Sequence, residues 1–252
     1  MLASAALAAA TFSSAHASET PIFVRNHSFE SPDANIPGFP VNTELDEWTD
    51  TQPRPGFAGP LPWGFGTGNF PNPEIGEAGH YNIMYGDRAA YILVSEQLGF
   101  FQDLDPLTTS PGGIFTVGEA YQLTVGFAPS STMPAGTILT MSLYYRDGGN
   151  NIVPVAWAEV PKIADTDSFY DYQVYVPYVK ATDAWANKPI GILFQVTTVP
   201  LRTTGPQAGQ PNETGGYDLD NVRLQTIPEP STGLIGGLGL ALLAIRRRAR
   251  RS

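Results

Sequence analysis

The chain has no cysteine and only three histidines, His16, His27 and His80, in 252 residues. The first absence excludes a disulfide framework, thiol catalysis and cysteine zinc sites, without excluding export. The second argues against a three-histidine metal centre and leaves a Ser-His-Asp triad only His27 and His80, since His16 is expected to be lost on processing. Charge is also scarce: 15% of residues are Asp, Glu, Lys or Arg, against about 25% in ordinary domains. What charge there is leans acidic, with 14 basic against 24 acidic residues. Five of the basic residues, Arg246, Arg247, Arg248, Arg250 and Arg251, crowd into the last seven positions, so the rest is more acidic than the formal −10. An acidic body is repelled by phosphate backbones, which excludes a nucleic-acid partner, and leaves room for divalent cations. Three turns of helical periodicity occur nowhere in the body. The Ser-nucleophile pattern G-x-S-x-G is missing, as is a glycine-rich phosphate loop at a strand–helix junction.

Glycine and proline are abundant instead, 49 of 252 residues together, where about 12% is usual. That composition favours many turns over a helical bundle, and 42% apolar residues are enough to build a core. Period-2 alternation marks several strands. Tyr121, Leu123, Val125 and Phe127 share one face. Leu139, Met141, Leu143 and Tyr145 point inward with Tyr144 outward, and Tyr172, Val174 and Val176 point inward with Tyr175 outward. Ile190 to Val199 reads as a more apolar strand, and Asp147-Gly148-Gly149-Asn150 as a turn. Strand after strand at short spacing predicts an all-β, antiparallel β-sandwich. Residues 51–80, with six prolines and seven glycines, read as a long loop whose Phe57, Trp63, Phe65 and Phe70 either line a binding site or pin the loop to the sandwich.

Both ends read as addresses. Residues 1–17 form an apolar Ala/Leu stretch followed by Ala15-His16-Ala17, the pattern of a secretory signal peptide cut before Ser18; its lack of Lys or Arg leaves open a start upstream of Met1. At the other end, residues 227–252 hold Pro228-Glu229-Pro230, an apolar stretch from Gly233 to Ile245 and the arginine cluster. Thirteen apolar residues span about 20 Å as a helix, just long enough to cross a thinned bilayer if the arginines snorkel and stay cytoplasmic. This constellation resembles the PEP-CTERM sorting signal of Gram-negative bacteria. The resemblance implies that Pro228, Glu229 and Pro230 are the motif read by an exosortase-like processing enzyme, and that the protein is exported, held transiently in the inner membrane and released to the cell surface or extracellular matrix.

The body, residues 18–226, carries a second ordered set of fragments. Asn26-His27-Ser28-Phe29-Glu30 opens it and Trp48 follows. Then come Gly86-Asp87-Arg88-Ala89, Gln102-Asp103-Leu104 and Gly118-Glu119-Ala120-Tyr121-Gln122-Leu123-Thr124-Val125. Asp220-Asn221-Val222-Arg223-Leu224 closes it. The set resembles the galactose-binding-like jelly rolls, among them the carbohydrate-binding modules of families 4, 9 and 22. The resemblance implies a structural calcium joining first and last strands, with Glu30 and Asp220 as ligands, and a core position for Trp48. Oxygen-only ligands from carboxylates and carbonyls suit Ca²⁺; the alternative is that both side chains simply bond backbone at strand ends.

Glycoside hydrolysis needs two carboxylates at fixed separation. The nearby pairs Glu74/Glu77 and Asp165/Asp167 read as solvated surface, so the residues make no case for an enzyme. Sugar binding needs exposed aromatic rings, and Tyr144, Trp157, Tyr175 and Trp185 are the candidates. The expected function is a non-enzymatic envelope or matrix protein associating with extracellular polysaccharide. The alternatives are a structural matrix component without a discrete ligand site and, more remotely, a secreted glycan-active enzyme.

Overall fold

Alternating apolar residues bounded by Gly, Pro and Asn turns give twelve strands in the computed structural model, which describes residues 19–31, 41–42, 45–51, 65–69, 83–104, 112–163 and 168–227. The strands are β1 (Thr20–Ile22), β2 (Val41–Asn42), β3 (Thr49–Asp50), β4 (Phe65–Asn69), β5 (Arg88–Leu93), β6 (Gly99–Asp103), β7 (Ala120–Pro129), β8 (Ile138–Arg146), β9 (Ile152–Pro161), β10 (Tyr170–Val176), β11 (Gly191–Thr198) and β12 (Gly216–Ile227). The expected signal helix, the C-terminal helix and Pro228, Glu229 and Pro230 lie outside the described residues, as do Asp165 and Asp167. No helix among the described residues is long and apolar enough to cross a membrane.

The strands form two antiparallel sheets. The larger runs β10-β7-β12-β5-β4-β2, with β1 also on β12, and the smaller runs β3-β6-β11-β8-β9. Strand β12 is the organising element of the larger sheet. Strand β7 lies along one side of it, while β5 takes the first half of its other side and β1 the second. A bulge between Asp220 and Arg223, with Asn221 at φ 54°, changes the phase of alternation. Tyr217 and Leu219 face inward before it, Val222 and Leu224 after it, and all four are buried. Asn tolerates this left-handed backbone because its short polar side chain can bond locally.

One core joins the sheets. Phe100 and Phe194 of the smaller sheet meet Phe127 of the larger, with ring centroids 5.4 Å apart for Phe100–Phe194 and 5.9 Å for Phe127–Phe194. Trp48 packs edge-on to Phe100 at 5.3 Å and is buried, the core position its resemblance implied. The buried Gln102 amide donates to the carbonyls of Arg25 and Glu47, both at 3.0 Å, and its carbonyl accepts from the Arg25 N–H. A buried polar group of this kind is tolerated because it is bonded on both sides, and it fixes the segment leading to Glu30.

The expectation of an uninterrupted loop over residues 51–80 is corrected in part. Residues 65–69 form β4, paired with β5 from Phe65↔Ile92 to Asn69↔Arg88. Gly66 and Gly68 weaken a strand interior by propensity, which hid it from a composition-based reading, but pairing with β5 overrides that weakness.

Candidate functional site

Two places gather chemistry. The first is the outer face of the smaller sheet. Register places Thr49, Phe101, Leu193, Ser142 and Trp157 opposite one another, one from each of its five strands. Beside that row stand Gln195, Thr140 and Glu159, and on its other side Asp103, Gly191, Tyr144 and Pro154. At the β9 edge the row becomes an open groove of about 550 Å³, floored by Leu193 and Ser142 and walled by Trp157, Glu159, Gln195 and Thr197. Trp157 is 64% exposed. The Thr140 and Thr197 hydroxyls bond each other at 2.8 Å, and the Gln195 amide donates to the Gln97 carbonyl at 2.9 Å.

At the other end of the face Tyr144 departs from its expected role. Its side chain points outward as alternation predicts, but the ring is fully buried. It lies across Gly191, where an added Cβ would stand 2.1 Å from the ring. Its hydroxyl donates to Asp103 at 2.7 Å, and Asp103 also accepts from the Arg146 Nε at 2.9 Å. The Arg146 guanidinium sits 5.0 Å from the Phe101 ring centroid and 5.8 Å from that of Tyr144. Burial, reinforced by the bond to the neighbouring carboxylate, pushes the Tyr144 phenol well above its ordinary value. Tyr144 is therefore a buried member of a charged cluster and no platform for a sugar. The sequence reading missed Asp103 and Arg146 because only the cross-strand register brings them together.

The other two aromatics are elsewhere. Tyr175 is 54% exposed, but β10 is an edge strand of the larger sheet, so it does not join Trp157. Trp185 lies in the turn before β11, is partly buried and packs against the core. Its indole N–H is buried without a hydrogen-bond partner among the described residues. The expected set of four stacking rings thus reduces to Trp157 on this face.

The second place brings Glu30 and Asp220 together. The Tyr85 N–H donates to Asp220 Oδ2 at 2.6 Å and the Arg88 N–H to Glu30 Oε1 at 3.1 Å. The Arg88 guanidinium donates to the Glu30 carbonyl. The Glu30 carboxylate lies over Gly86, where a Cβ would come within 2.3 Å of Oε1 and φ is +83°, so any side chain there would strain the backbone and displace the carboxylate. The segment is tied to the β12 bulge by the Val222 N–H donating to the His27 carbonyl at 2.9 Å, and by the Asn221 amide donating to the Ile83 carbonyl at 2.8 Å. Asp220 Oδ1 is buried with no partner among the described residues. Burial pushes the Asp220 carboxyl up to about 8; the Tyr85 and Asn221 N–H groups oppose the shift and the Glu30 charge adds to it. Burial likewise raises Glu30, against the pull of Arg88. Two carboxylates that repel each other, one with an unsatisfied buried oxygen, fit a cation between them. No cluster of three or more His, Cys, Asp or Glu side chains that would hold a metal occurs among the described residues, so further ligands would be backbone carbonyls and water, as Ca²⁺ accepts.

Comparison with known proteins adds two findings. The PEP-CTERM protein-sorting motif matches residues 226–251. Among solved structures, a cyclase from Fischerella sp. TAU is similar at 19% identity over 84% of this chain and 98% of that chain, with a TM-score of 0.59. The CBM22-1 xylan-binding domain from Paenibacillus barcinonensis is similar at 12% identity over 71% of this chain and 85% of that one, TM-score 0.39. A CBM4 structure is similar at 15% identity over 55% of this chain and 83% of that one, TM-score 0.31. No curated protein matches the chain in sequence. The cyclase likeness shows a shared fold, and at this identity nothing more. The chain thus joins a two-sheet antiparallel body to a PEP-CTERM sorting motif, and that motif implies export through a membrane-anchored intermediate and processing by an exosortase.

Proposed function

We propose that the processed protein is a non-enzymatic jelly roll of the cell surface or extracellular matrix, which holds extracellular polysaccharide along the outer face of its smaller sheet. One observation carries the reading: a largely exposed Trp157 ring beside a groove of hydroxyl and amide groups. A pyranose ring stacks on such an indole while its hydroxyls bond the flanking polar groups, the usual division of labour in a ligand groove. A calcium ion held by Glu30 and Asp220 has a structural part here. It neutralises the two carboxylates and locks residues 26–31 and 83–88 to the β12 bulge. The test is retention of residues 18–227 on the host's own extracellular polysaccharide. Retention lost in Trp157→Ala, with the fold unchanged by circular dichroism, supports the reading. Folded protein that is not retained overturns it and leaves a structural matrix component.

One observation favours a second reading, acid catalysis on the larger sheet. Asp218 stands between Tyr91 of β5 and Ala128 of β7. Desolvation pushes its half-buried carboxyl up to about 7, where a carboxylic acid donates a proton near neutral pH. A carbon-13 titration placing Asp218 near 4 would remove that reading.

A further inference from the structure

We infer that the Trp157 groove selects glycans bearing free amino groups, with an ammonium seated between the Trp157 ring and the Glu159 carboxylate. The inference rests on the reading of that groove as a polysaccharide site and names the class of sugar. Among the described residues that line the groove, Glu159 is the one charged side chain; the rest are Thr, Ser, Gln, Leu, Pro and Trp. Its carboxylate makes no hydrogen bond or ion pair among the described residues, and the nearest hydroxyl across the strand pair, on Thr140, is bonded to Thr197. Trp157 and Glu159 stand two residues apart on one strand, so they share a face about 7 Å apart. That spacing lets one ammonium lie within about 6 Å of the ring centroid and bond the carboxylate at the same time, and Trp is the strongest side-chain partner for a cation. Arg146, the cation at the far end of the face, is already paired with Asp103.

The charge of the whole body points the same way. Residues 18–226 hold 9 basic and 23 acidic side chains, a net −14. A field of that sign repels polyuronates and draws polyamines toward the surface. Long-range attraction alone is not selective, so the test must separate the groove from the field.

The experiment is calorimetric titration of residues 18–227 with a glucosamine hexamer, its fully N-acetylated counterpart, a neutral β-glucan hexamer, polygalacturonate and poly-lysine, in mildly acidic buffer. The glucosamine hexamer should bind about tenfold tighter than the acetylated one, the size expected of one cation–π contact with one exposed charged bond. Glu159→Gln should erase that margin. Glu119→Gln, which changes net charge equally but lies before β7 in the other sheet, should leave it, and Trp157→Ala should weaken every sugar. Equal binding of the two hexamers overturns the inference, as do equal losses in Glu159→Gln and Glu119→Gln or binding of poly-lysine as tight as the amino sugar; in each case the polysaccharide reading survives if the neutral glucan binds. Folded protein that binds none of the sugars defeats both.

Discussion

Tyr144 shows what one residue can hide. Alternation along β8 assigns its side chain to the outer face, and it lies there. Its burial comes from Gly191, 47 positions further along, whose missing Cβ makes the space the ring fills. Gly191→Ala is therefore expected to destabilise the fold by about 1–3 kcal/mol, the cost of overpacking. The same change in a Tyr144→Ala background should cost far less, and urea melts of the four proteins in that cycle would show additivity if the two residues were independent. Inward faces were easier to read. Tyr121, Leu123, Val125 and Phe127 are all buried, as period 2 along β7 required. Phe194→Ala, at the centre of the aromatic core, should cost about 3–5 kcal/mol by the same measurement. Trp185 was illegible because it sits in a turn, where no period says which way a side chain points.

At the scale of elements, the sandwich was legible wherever strands alternate, and illegible where pairing overrides propensity, as in glycine-containing β4. The β12 bulge was written in the sequence and not read. Apolar positions 217 and 219 are followed by 222 and 224, a spacing that requires one extra residue at Asp220–Val222. Since Asn221 holds a left-handed backbone and its amide donates to the Ile83 carbonyl, Asn221→Gly should cost about 1 kcal/mol, the lost hydrogen bond, while Asn221→Val, which adds backbone strain to that loss, should cost about 2–3 kcal/mol. The pairing of Glu30 with Asp220 followed in the sequence only from resemblance; the structure adds the bulge that turns Asp220 toward the 83–88 segment. Strand β1 offers a further check. Thr20 and Thr226 are register partners, and partners in an antiparallel pair lie about 4.5–5.5 Å apart at Cα, within disulfide reach. In a chain without cysteine, Thr20→Cys with Thr226→Cys should therefore close one defined bridge. It should raise stability by about 2–4 kcal/mol on oxidation, read as a denaturation shift that reductant reverses.

At the scale of the whole molecule, pH acts through carboxyls raised by burial, Asp220 and Glu30 at one end of the β12 bulge and Asp218 before it. In the metal-free fold Asp220 keeps its proton up to about 8, whereas an unfolded Asp loses it near 4. Between those values the folded state binds a proton the unfolded state lacks, so stability in chelator should fall as pH rises from about 4 to about 8. Glu30, raised as well, adds in the same direction. Calcium at the Glu30–Asp220 pair, as proposed, would take the place of the proton, so with the ion present the fall should shrink to the share of Asp218, which burial raises to about 7. Urea midpoints across that range, with calcium and with chelator, would show parallel curves if no cation binds there. Strand β1 also sets how the molecule bears load. Its three residue pairs with β12 place Thr20 beside the end of the last strand, so a pull between residues 20 and 227 peels them apart in turn, as a zipper opens. A pull between residue 227 and Trp157 meets the long β12–β7 ladder and the shared core instead. The protein should therefore yield first at its opening strand, while the path from residue 227 to Trp157 stays whole.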